Sequence, residues 1–175
     1  MKSFSLILAF STLLILKGNA QEVKWYSIEE AVELNKQEPR KFVIDVYTDW
    51  CGWCKVMEKN TFNNEIIAKY LNEKYYPVKL NAEQKADIDF LGTSYKYIAQ
   101  GNRGYHELAA AFLGGQMSYP SVVFLDEKIQ GLHIEKGYIK AKQFDMIIKF
   151  IGEDLYKTTK WDTWSASYNS PVTSE

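Results

Sequence analysis

Apolar and polar positions change period several times between Ser27 and Lys157, and each change marks an expected element. Ser27-Ile28-Glu29-Glu30 has the form of a capping box, a serine with a glutamate three residues on. It predicts an amphipathic helix through about Gln37, closed by Pro39 and Arg40. "KFVIDVY", Lys41 to Tyr47, is apolar at successive positions, the pattern of a central strand covered on both faces. A helix is expected from the cysteines that follow to about Asn60. Asn63 or Asn64 then caps "EIIAKYLNEKY", which places Ile66, Ile67, Tyr70 and Leu71 on one face. "YPVKLNA", Tyr76 to Ala82, reads as the next strand. "DIDFLGTSYKYI", Asp87 to Ile98, alternates around Gly92-Thr93 as a β-hairpin does. "GYHELAAAFLGG", Gly104 to Gly115, reads as a short helix stopped by glycines. "SVVFLDE" and "GLHIEKGYI" read as two strands joined near Lys128 to Gly131, and "KAKQFDMIIKFIGEDLYK" as a final amphipathic helix. The Ser/Thr-rich residues 158–175 read as a loosely held tail.

This order implies one α/β domain over residues 21–157, a mixed sheet flanked by helices with a hairpin insertion at about 85–103 before the third main helix. A right-handed crossover between the first two strands places whatever follows Tyr47 at a strand's carboxyl end. The N-terminus has a different character. Lys2, the apolar run Phe4 to Leu16 and the small residues Gly18-Asn19-Ala20 are the parts of a signal peptide cleaved after Ala20, with export to the periplasm as the expectation. The run is shorter than the roughly 20 residues a spanning helix needs. Without Lys2 and Lys17 the chain carries 19 basic against 22 acidic residues. That balance gives no footprint for nucleic acid or for an anionic membrane surface.

The chain has two cysteines, Cys51 and Cys54, in "DVYTDWCGWCKVMEKNTF". A purely structural disulfide across two residues closes so short a loop that it removes little entropy from the unfolded chain. A zinc site needs four ligands, and beyond the pair only His106 and His133 are candidates, in no paired spacing; both read as ordinary surface or cap residues. No metal and no cofactor is therefore expected. Redox chemistry accounts for the spacing. Cys51 follows a buried strand at the first turn of a helix, where free N–H groups and the macrodipole favour a thiolate, and Cys54 lies one turn on. An exposed Cys51 is expected to attack a disulfide, and Cys54 to resolve the mixed disulfide.

The segment "DVYTDWCGWCK" resembles the active site of thioredoxin-fold proteins, and "YTDWCGWCKVMEKNTF" is similar to that of the C-terminal periplasmic thioredoxin-like domain of DsbD. The resemblance spans about Lys41 to Lys149, hairpin excluded. It implies that Cys51 and Cys54 are the nucleophilic and resolving cysteines. Asp45 takes the place of the buried acid, and Glu58 that of a second acid. It implies that Tyr119-Pro120 is a cis-proline lying beside the cysteines, with Trp50 the aromatic before the nucleophile and Lys79 a lysine near the buried acid. Trp50, Trp53, Tyr119 and Pro120 would contact the client. The chain departs from common thioredoxins in having Gly52-Trp53 between the cysteines, and in its insertion, which either shapes a partner surface or embellishes the fold.

Gly52-Trp53 supplies no cation to stabilise a thiolate, so the pair should be reducing. The expectation is a monomeric reductase of exported, disulfide-containing proteins, supplied with electrons by a membrane thiol donor. A disulfide oxidase or isomerase, or a non-catalytic thioredoxin-fold binding module, are the alternatives.

Overall fold

The computed structural model describes residues 22–101 and 103–173; the signal peptide expected over residues 1–20 lies outside the described residues. The first helix, α1 (Ile28–Gln37), starts as its sequence requires. The Ser27 hydroxyl accepts from the Glu30 N–H, and the Glu30 carboxylate accepts from the Ser27 N–H. Strand β1 (Lys41–Tyr47) follows and is buried through six of its seven residues. A crossover through α2 (Gly52–Met57), a π-helical turn (Glu58–Phe62) and α3 (Glu65–Lys74) leads to β2 (Tyr75–Asn81), which pairs parallel to β1. Strand β7 (Ser121–Leu125) runs antiparallel on the other side of β1, with β8 (Gly131–Lys136) at the edge, so the sheet order is β2-β1-β7-β8. Two core clusters cover the two faces. Val43 of β1 packs with Met57, Phe62, Leu71, Phe124 and Phe144. Phe42, Ile44 and Val46 face the other way, towards Ile28, Leu108 and Val123. Strand alternation therefore turns Asp45 to the Val43 face.

The insertion differs from its sequence reading. It holds two hairpins: β3 (Ile88–Phe90) with β4 (Thr93–Tyr95), and β5 (Tyr97–Gln100) with β6 (Arg103–His106). The first turns at Leu91-Gly92, both with positive φ, as a tight hairpin turn demands. The second takes residues 104–106 from the helix expected at Gly104, so α4 is only Glu107–Phe112. Gly104 had read as a helix start. A Cβ there would lie 2.3 Å from the Ile98 carbonyl oxygen, so this glycine serves close strand approach instead. His106 is the α4 N-cap, as one of its two readings had it, but it is fully buried.

Helix α5 (Ala141–Gly152) ends earlier than expected, followed by a 3-10 turn (Leu155–Lys157). The expected loose tail forms α6 (Trp161–Ser167) and packs back on the domain. Trp161 and Trp164 lie against Phe150, with centroids 5.2 and 5.3 Å away. Tyr168 and Ser170 donate to the buried Asp145, and Val172 enters the core. Ser/Thr content hid a sparse set of aromatic anchors that supply enough apolar area to hold the segment.

Candidate active site

The carboxyl end of β1 delivers the chain to Cys51, whose N–H donates to the Thr48 carbonyl. Cys51 is the N-cap of α2, with its Sγ accepting from the Cys54 N–H at 3.1 Å. The two sulfurs are joined as a disulfide. The sequence reading placed Cys51 exposed and Cys54 deeper, whereas each residue here is 5% exposed. The two positions differ by capping. Only Cys51 sits before the free N–H groups of the helix, where a thiolate is favoured once the bond is reduced.

Asp45 is fully buried on the α2 side of β1. The parallel register sets Lys79 of β2 opposite it, and Lys79 Nζ lies 2.8 Å from Asp45 Oδ2. The same ammonium lies 2.8 Å from Glu58 Oε2, so Lys79 joins the two carboxylates expected at the site. Glu58 opens the π-helical turn, where the Asn63 N–H bonds the Glu58 carbonyl five residues back. Burial pushes the Asp45 carboxyl above its ordinary range; Lys79 pulls it back, and Glu58 adds to the rise. Asp45 Oδ1 is buried without a hydrogen-bond partner. Burial also opposes the Lys79 charge, but Asp45 and Glu58 outweigh it and hold its pKa up. The rings of Trp25 and Tyr47 flank this ammonium at 4.8 and 4.9 Å.

The outer wall is aromatic. Trp50 is 56% and Trp53 62% exposed. The Tyr119-Pro120 bond is cis, as the sequence resemblance implied. Tyr119 meets Trp50 edge to face at 6.1 Å, and burial raises its hydroxyl to about 12, so it stays protonated. Trp53 leans on Tyr138 at 5.4 Å. Trp53, Tyr119, Pro120, Gly137 and Tyr138 line a shallow cleft of about 230 Å³.

Sequence reasoning missed three contributors to this wall. Glu83 accepts from Trp50 Nε1 at 3.0 Å, Arg103 lies 5.2 Å above the Trp50 ring, and Tyr138 backs Trp53. The first two lie beyond β2 and in the insertion, and no local signal ties them to the cysteines. Among the described residues there is no metal-ligating cluster, and no helix is long and apolar enough to cross a membrane.

Comparison with known proteins gives the same picture. The family model Thioredox_DsbH, described as "Protein of unknown function, DUF255", matches residues 5–151. The uncharacterised protein B0495.5 of Caenorhabditis elegans is 32% identical over 92 residues, which is 52% of this chain and 13% of that protein. The chain thus spans only a small part of the curated relatives it matches. Among solved structures, a thioredoxin-fold protein from Helicobacter pylori superposes with a TM-score of 0.56 at 21% identity, covering 71% of this chain and 76% of that one. A DsbH oxidoreductase gives 0.54 at 21% identity, covering 83% and 93%. These likenesses establish the thioredoxin fold. The similarity to DsbD remains with the cysteine segment that suggested it.

Proposed function

Because the chain belongs to the Thioredox_DsbH family and carries a joined Cys51–Cys54 pair at a helix start, we propose that this thiol:disulfide oxidoreductase works as a reductase of protein disulfides. The observation that carries the reading is the pair itself, capping α2 beside the cis Tyr119-Pro120 bond with a buried carboxyl nearby. In the reduced protein the Cys51 thiolate attacks a client disulfide, forming one mixed S–S bond and expelling one client thiolate. Cys54 gives its proton to Asp45, and its thiolate attacks Cys51 Sγ. The second client thiolate leaves and the Cys51–Cys54 bond forms. Two electrons pass to the client, and both of its sulfurs take up protons from water. Asp45 suits this step because burial makes it a better proton acceptor than an exposed carboxylate. Lys79 holds Asp45 in place, and Glu58 shares its charge.

Reduction is the favoured direction because Gly52-Trp53 offers the Cys51 thiolate no cation. The leader-like residues 1–20 support export to the periplasm. Clients would then be exported proteins with disulfides, and a membrane thiol donor would restore the dithiol. Turbidity of insulin with dithiothreitol tests the activity. The intact protein should accelerate precipitation and the Cys51→Ser variant should not; equal rates would remove the catalytic reading and leave a binding module.

A further inference from the structure

Trp50 is exposed and yet held from three directions. Its Nε1 donates to Glu83, its ring meets Tyr119, and Arg103 of the second hairpin lies over its face. Each contact comes from a different segment: the turn after β2, the cis-proline loop and β6. An aromatic pinned this way loses little freedom when a client docks on it, so its exposure suits a preformed platform. Arg103 is itself exposed and has no ion pair among the described residues. A guanidinium over a ring keeps its charge and its N–H donors, a fork that matches a carboxylate. Glu83, the other charge on this indole, is half-buried and has one oxygen committed to Nε1.

We propose that the β5–β6 hairpin is part of the client-recognition surface, and that Arg103 makes it selective for clients with an Asp or Glu beside the disulfide. The residue after Trp50 is Cys51, so a client sulfur at Cys51 brings its flanking residues onto the indole. This inference rests on the reductase reading and deepens it.

The test uses two disulfide-linked peptides, identical except for Glu or Lys next to the cysteine. Their rates with reduced protein are normalised to their rates with dithiothreitol. The wild type should prefer the Glu peptide by about fivefold, the scale of one exposed charge pair. Arg103→Ala should level the two rates, and Arg103→Glu should favour the Lys peptide. The preference should shrink at 1 M salt, where screening is short-ranged. Lys142→Glu on α5 changes net charge equally and should leave the ratio as it was. An unchanged ratio in Arg103→Glu, or an equal shift in Lys142→Glu, overturns the inference while leaving the reductase reading intact. Wild-type protein that cannot reduce 2-hydroxyethyl disulfide overturns both.

Discussion

Asp45 and Lys79 show what a buried carboxyl does to stability, and the role proposed for Asp45 makes a second prediction at the same atom. The Asp45 pKa is raised above its unfolded value even with Lys79 in contact. The folded state therefore binds this proton more tightly than the unfolded one, and stability from this group falls as pH rises from about 4 through the raised value. Above the raised value the ionised Asp45 is a net cost. Asp45→Asn should raise stability at pH 7 by about 1 kcal/mol, with the gain shrinking towards pH 4. Urea unfolding at the two pH values measures this. The same variant should slow mixed-disulfide resolution on the order of 100-fold at pH 7, recovering as pH rises, since a general base contributes that much. Quenched single-turnover kinetics separates the step. Trp53 bears on the thermodynamics instead. With no cation between the cysteines the potential should lie near about −270 mV. Trp53→His should move it at least about 30 mV towards oxidising, read by equilibration with glutathione.

Elements whose signals are local were legible in the sequence, while those set by distant contacts were not. Ser27 and Glu30 lie three residues apart, and α1 begins where they say. The run around β1 gave both a central strand and the position of Asp45. The cysteine spacing marked the joined pair, and the resemblance implied the cis Tyr119-Pro120 bond. Lys79 beside Asp45 was implied by the resemblance and is found there. That the same ammonium also joins Glu58 depends on the register of two strands 34 residues apart, which only the crossover determines. The second hairpin was hidden because Gly104 next to a helical run looks like a helix boundary. Gly104→Ala tests the structural reading. Its Cβ would lie 2.3 Å from a backbone carbonyl oxygen that cannot swing aside. A loss of about 1–3 kcal/mol, the cost of overpacking, is expected in urea unfolding. A neutral result would mean that the hairpin does not close as described.

At the scale of the molecule, the two ends of β1 do different work. Its carboxyl end carries the disulfide. Its amino end is tied to the last segment of the chain, where Lys41 Nζ lies 3.0 Å from Asp154 Oδ1. Beyond that tie the chain returns over α5 and caps Asp145, a fully buried carboxyl. Both donors reach the same atom: Tyr168 Oη lies 2.9 Å and Ser170 Oγ 2.6 Å from Asp145 Oδ2. Either single variant, Tyr168→Phe or Ser170→Ala, leaves that oxygen one donor and should cost about 1 kcal/mol. Together they leave a buried carboxyl without a partner, and the cost should exceed the sum of the singles, reaching about 3 kcal/mol. The coupling is measured by a double-mutant cycle in urea. Simple additivity would show that Asp145 finds another donor, and that the aromatic contacts of Trp161 and Trp164 with Phe150 hold the segment by themselves. The Cys51–Cys54 potential should stay where it is in all three variants, because the seven residues of β1 separate the two ends by about 20 Å. A shift in potential along with stability would mean that the last segment shapes the reacting centre as well as clamping the fold.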